Sequence, residues 1–173
     1  MKAKIIALAV IVLLIATSGF LLLQLTASKA AQQPKVDNRP TATRAPVTPL
    51  SEQYLQLVNK ARADNGLSPL KLDERLNRSA QIKAEDQTAN KYSGHVNPTT
   101  GKRGISYAFE TMPSCTKVSE NLAYNTEGKS PEYLINGLMN SPSHRAAILD
   151  PEMDYVGFGY TNNELVQHFC TTD

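Results

Sequence analysis

Apolar residues run almost unbroken from Ile5 to Leu25, thin out between residues 31 and 49, and return in helical and alternating patterns from Leu50 to the C-terminus. The first run, preceded by Lys2 and Lys4, is close to the roughly 20 residues that cross a bilayer as a helix. It predicts a transmembrane anchor over residues 1–28 with its lysines on the cytoplasmic side. A cleaved signal peptide is the rival reading, with Ala27, Ser28, Ala30 and Ala31 as small residues for cleavage. Residues 29–49 hold Pro34, Pro40, Pro46 and Pro49 among glutamines and threonines, with Val36 and Val47 the only large apolar side chains. Such a stretch cannot bury enough surface to order itself and predicts an extended linker.

From residue 50 onward the periodicities change. Tyr54, Leu57, Val58 and Ala61 recur at helical spacing behind Ser51, which can cap, and Asn65-Gly66 ends the pattern. Asp73 can cap a second helix whose Leu76, Ala80 and Ala84 form a stripe of small residues. Lys91 to Ser119 is rich in glycine, proline, serine and threonine without a clear period and reads as mostly loop. Ser130-Pro131 opens another helix with Ile135, Leu138 and Met139 on one side, and Ser141-Pro142 opens a short one containing His144. Tyr155 to Tyr160, a turn at Thr161-Asn162-Asn163, and Glu164 to Cys170 alternate as a hairpin. One α+β domain over residues 50–173 follows.

Charge sharpens this division. Residues 1–49 carry six basic residues and one acidic, residues 50–173 twelve basic and fifteen acidic. The sequence pI near 8.5 therefore describes the N-terminal segment, and a domain without a basic stripe predicts no nucleic-acid partner. Two cysteines occur, Cys115 and Cys170. Outside the membrane they are expected to pair; with the opposite topology two free, buried thiols are the reading.

Candidate chemistry rests on few residues. His144 falls in the first turn of its helix, where the positive end of the dipole disfavours an imidazolium and leaves a ring that can bind a metal or accept a proton. His95 and Glu120 are the other candidates, since two imidazoles and a carboxylate can make a zinc site, or the carboxylate can orient an imidazole. His95 and His144 are 49 residues apart, so no local signature joins them. His168, in the last strand beside Val166 and Cys170, reads as a packed or surface histidine. Asn77-Arg78-Ser79 matches a glycosylation sequon inside the second predicted helix.

Several stretches taken together carry a resemblance: Leu57-Val58-Asn59-Lys60-Ala61-Arg62, Gly66-Leu67-Ser68-Pro69-Leu70, Ser93-Gly94-His95, Glu120-Asn121-Leu122-Ala123, Met139 to Arg145 with Ile148-Leu149, and Gly157-Phe158-Gly159-Tyr160. In order and spacing they resemble the bacterial branch of the CAP superfamily (cysteine-rich secretory protein, antigen 5, pathogenesis-related protein; also called SCP domains). The resemblance covers the chain from about Glu52 onward. It implies an α/β/α sandwich with a central antiparallel sheet and a cleft of two histidines and two acidic residues that in some members holds zinc or another divalent ion. His95, Glu120 and His144 fall on three of those positions. At the fourth this chain has Ser106, with Glu110 a displaced candidate, and Ser119, Leu138 and Ala147 replace a common glycine, tryptophan and asparagine. The expectation is an extracytoplasmic module, held to the membrane by its N-terminal helix, that binds a cell-envelope or extracellular ligand. The alternative is a zinc-dependent hydrolase, a peptidase or esterase, with Glu120 as general base on metal-bound water.

Overall fold

The structure is a computed structural model that describes residues 48–173; the expected anchor, and all of the expected linker but Thr48 and Pro49, lie outside the described residues. Thr48 caps α1 (Pro49–Ala63), its hydroxyl accepting from the Ser51 amide. The cap is three residues earlier than the sequence suggests, because Pro49 suits the first turn and Thr48 is also tied to the Tyr160 hydroxyl at 2.6 Å. Then come β1 (Lys71–Leu72), α2 (Glu74–Asn90), α3 (Gly104–Thr111), β2 (Cys115–Tyr124), α4 (Pro131–Asn140), α5 (Pro142–Ile148), β3 (Tyr155–Tyr160) and β4 (Glu164–Thr172). Asp73 and Ser130 cap α2 and α4 as the sequence predicts. No described helix is long and apolar enough to cross a membrane.

The strands form one sheet in the order β1-β3-β4-β2. β4 pairs antiparallel with both neighbours, but β1 lies parallel to β3, so the sheet is mixed and not the antiparallel one expected. A two-residue strand leaves no periodic trace in sequence. It is fixed by the Lys71 and Asp73 amides donating to the Asp154 and Val156 carbonyls.

Helices cover both faces. On one, Tyr54 and Val58 of α1 and Leu134, Ile135 and Leu138 of α4 pack with Val156, Phe158, Leu165 and Phe169. On the other, Ala80 and Ala84 of α2 meet Leu122 and Val166, while Leu76 and α3's Ala108 pack near Cys170. Gly157 and Gly159 let α2 seat directly on β3, since a Cβ at either would overlap the backbone of Leu76–Asn77 or Ala80–Gln81. The Cys115–Cys170 bridge is formed, across 5.6 Å between Cα atoms, and joins the start of β2 to β4.

The stretch read as loop from Lys91 to Ser119 contains α3 and the start of β2. α3 lacks any side-chain cap bond. Its formation is tertiary: Ala108 and Met112 bury against the disulfide, and packing overrides a weak local signal. Asn77 and Ser79 are both buried, so the sequon is not an exposed acceptor.

Candidate functional site

Glu120 lies on β2 directly opposite His168 on β4. The ladder bonds alternate. Thr161 donates to the Glu164 carbonyl at the hairpin, so the registers place Glu120–His168 at a non-hydrogen-bonded pair, where side chains on one face come closest. His168 Nε2 is 2.8 Å from Glu120 Oε2, and His95 Nδ1 is 2.7 Å from Glu120 Oε1. An ionised carboxylate only accepts, so both rings donate, and a neutral His95 keeps the lone pair of Nε2 for something else. Behind them, Ser79 Oγ lies 2.7 Å from His168 Nδ1 and 2.8 Å from the Leu76 carbonyl. A chain thus runs from α2 across one face of the sheet to an exposed imidazole.

The exposures decide the roles. The Glu120 side chain is 2% exposed and His168 fully buried, whereas the His95 side chain is 58% exposed. Burying a carboxylate is costly unless its oxygens are bonded, and the two rings meet that need. Glu120 also lies at the start of α3, against Gly104, where any Cβ would overlap the carboxylate.

The loop that carries His95 is fixed from below. Fully buried Lys83 donates to the Gly94 carbonyl at 2.7 Å and the Tyr92 hydroxyl at 2.9 Å. Its ammonium is pushed below the usual lysine range by burial, opposed by Glu120, Asp86 and Glu164. Burial raises the Asp86 carboxyl, but hydrogen bonds led by those from Tyr92 and Asn97 outweigh it and hold the group below the ordinary range.

His144 approaches from the other face of the sheet. Asn121 Nδ2 donates to the His144 carbonyl at 3.0 Å and to Gln167 Oε1 at 3.1 Å. Buried Arg62 holds the far end of α5, donating to the carbonyls of Ile148 at 2.8 Å and Asp150 at 2.9 Å. Ser141 makes no side-chain cap bond, so position, not capping, sets this helix. The His144 ring is shifted down from the ordinary histidine value by burial and then by proximity to His95. His95, Glu120, Ser143, His144, Ala147 and Asp150 are among the residues lining a cleft of about 310 Å³. A second hollow of about 200 Å³, lined by Arg103, Gly104, Ile105 and Val118, shares His95, Ser119 and Glu120 with it.

The three residues singled out from sequence therefore meet in one cleft. Glu110 does not join them; it is exposed and pairs with Lys102 at 2.8 Å. Sequence reading gave no part in the site to Ser79, Lys83, Gly104 or Arg62, and took His168 as packed or surface; it is packed, being fully buried. Only His168 had a usable signal, since pairing the hairpin strand with a Glu120 strand sets the two opposite each other. As a metal centre the donor set falls short. Both oxygens of Glu120 are engaged by imidazoles, and among the described residues no group of three or more His, Cys, Asp or Glu is arranged around a common point. A catalytic zinc ion takes three protein ligands, and these residues do not supply them.

The fold agrees with the comparisons. Residues 55–172 match the family "CAP: Cysteine-rich secretory protein family", and the chain belongs to it. It is 33% identical over 147 residues to "Uncharacterized protein YkwD" of Bacillus subtilis, covering 81% of this chain and 53% of that protein. It is 29% identical to "Uncharacterized membrane protein YlbC" of the same organism, covering 70% of this chain and 34% of that one. The chain thus spans about half or less of the length of these curated relatives. Among solved structures, an extracellular SCP-domain protein of Bacillus anthracis superposes with a TM-score of 0.64 at 23% identity, over 73% of this chain and 45% of the other. An outer surface protein of Borrelia burgdorferi gives 0.62 at 21%, over 70% and 92%. At these identities the likeness concerns fold.

Proposed function

We propose that this protein is an extracytoplasmic binding module, tethered to the membrane by its N-terminal apolar segment, whose cleft holds a cell-envelope or extracellular ligand between His95 and His144. The observation that carries it is the bonded chain Ser79–His168–Glu120–His95: buried groups hold one imidazole in a fixed pose at the cleft while leaving its Nε2 open. Fixed polar groups at a concave surface are what a selective site needs. Being similar to a protein named as a membrane protein, and to an extracellular and an outer surface protein, supports the location. Short peptides, peptidoglycan fragments and lipid micelles, screened against the full chain in detergent by ligand-observed NMR, are expected to yield binders that a His95→Ala/His144→Ala double variant loses. Binders that the double variant keeps undiminished defeat the reading.

The Glu120–His95 pair also favours a second reading, hydrolysis with His95 as general base, because a carboxylate on Nδ1 fixes the ring in the tautomer that takes a proton at Nε2. Glu120 is then an orienting group, its oxygens being engaged. Cleavage of chromogenic peptides or esters that disappears in His95→Ala establishes this reading; the same background rate in both proteins removes it.

A further inference from the structure

The two edges of the sheet are finished differently. Beyond the two residues of β1, the outward amides of Phe158 and Tyr160 on β3 donate to Asn77 Oδ1 at 2.8 Å and Gln81 Oε1 at 3.0 Å. Side chains of α2 seal that edge. At the opposite edge, the register commits the main chain of Ser119, Asn121 and Ala123 to β4 and turns the amides and carbonyls of Val118, Glu120 and Leu122 outward. No described group bonds those of Val118 or Glu120. Leu122 is buried. Glu120 as a residue is partly exposed although its side chain is 2% exposed, so its exposed surface is main chain. An unsealed edge is what sheets ordinarily avoid, and this one runs along the floor of the cleft: both hollows are lined by Ser119 and Glu120, one on the His144 side and one on the Arg103 side.

We propose that the edge of β2 at Val118–Glu120 receives an extended, acidic peptide segment of another molecule as an added strand. The inference rests on the reading of the cleft as a binding site and names its ligand class. Outward groups two residues apart match the repeat of an extended peptide. Successive peptide side chains then point alternately to the His144 wall and to the Arg103 wall. Arg103 is exposed, lines its hollow and forms no ion pair with a described residue, so a carboxylate on that side is the complement. The main-chain bonds supply register, and Arg103 the preference.

The test is residue-resolved amide exchange by mass spectrometry on the full chain in detergent. The probes are blocked hexapeptide mixtures with a central glutamate, or a central lysine, among randomised positions. The glutamate mixture is expected to slow exchange at Val118 and Glu120 by about tenfold or more, the lysine mixture much less, and Arg103→Glu to reverse the preference. N-methylation of the central peptide amide is expected to abolish the effect. Four outcomes overturn the inference. One is no added protection with either mixture. Another is equal protection with both. A third is protection already present without peptide, meaning the chain's own N-terminal segment fills the edge. The fourth is protection that grows with protein concentration alone, meaning two copies pair. If envelope ligands bind in a manner the His95→Ala/His144→Ala variant loses while these amides stay fast, the binding-module reading survives and the peptide strand does not.

Discussion

Residue 104 has no side chain because the carboxylate of Glu120 occupies that space. One glycine in a stretch without periodicity thereby sets the position of the buried acid on which His95 and His168 both depend. Gly104→Ala is expected to displace Glu120 and destabilise the fold by about 1–3 kcal/mol, the usual cost of overfilling a packed site. Urea denaturation reads the loss of stability, and the ring NMR signals of His95 and His168 read the displacement. Unchanged stability together with unchanged ring signals would contradict this packing.

Arg62 joins α1 to the end of the helix that presents His144, and also donates to the Ser68 carbonyl at 2.8 Å. Arg62→Met keeps most of the apolar stem but strands these carbonyls. A loss of about 3 kcal/mol or more is expected, because the buried Ile148 and Met153 carbonyls are left without this donor while those of Ser68 and Asp150 are partly open to water. Arg62→Lys is expected to recover only part of it, since one ammonium cannot reproduce the fork. Full recovery by lysine would show that charge alone matters there.

His144 gives a pH dependence of definite sign. Its folded value is lowered by burial and by His95, so the unfolded chain binds the proton more readily. The stability linked to this group is complete above the ordinary histidine value of about 6.5 and declines as pH falls through it toward the lower folded value. Urea midpoints between about pH 5 and 7.5, which bracket that value, are expected to fall more steeply for the native chain than for His144→Gln. Parallel curves would remove the burial argument.

Reducing Cys115–Cys170 opens a loop of 55 residues. In the chain-entropy account this costs about 4 kcal/mol, and Cys115 and Cys170 also pack with Leu76, Ala108 and Met112. The unfolding midpoint is expected to drop sharply with reductant and in Cys115→Ser/Cys170→Ser. A midpoint insensitive to both would show that the bridge constrains nothing the core does not already hold.

Metal content checks the donor set. Protein prepared in excess zinc and passed through gel filtration is expected to retain well under one equivalent by elemental analysis, since only two imidazoles are open to an ion. Full retention that His144→Ala abolishes would mean that Glu120 gives up one of its rings to bind the ion.

Much of the fold was legible wherever one face of an element is buried. The stripes of Tyr54 and Val58, Leu76, Ala80 and Ala84, and Ile135 and Leu138 all became core. What was not legible depends on contacts between distant segments. α3 has eight residues and no cap bond, and exists because Ala108 and Met112 reach the disulfide; β1 is two residues held by β3. The same holds at the site. His95, Glu120 and His144 carry reactive side chains and could be singled out by type. Nothing in local sequence marks Lys83 within its helix, or Gly104 within a stretch that has no period; folding sets both beneath the cleft.

The seating of α2 on the bare backbone of Gly157 and Gly159 has a last consequence. With no side chains between helix and strand there is no slack for one to slide on the other, so Ser79 and His168 keep their spacing whatever happens above them. Such a rigid chassis confines adaptation to its coachwork: a change of ligand preference is expected to be written in the segment around His95 and Arg103 and on the outer turn of α5, leaving the buried floor as it is.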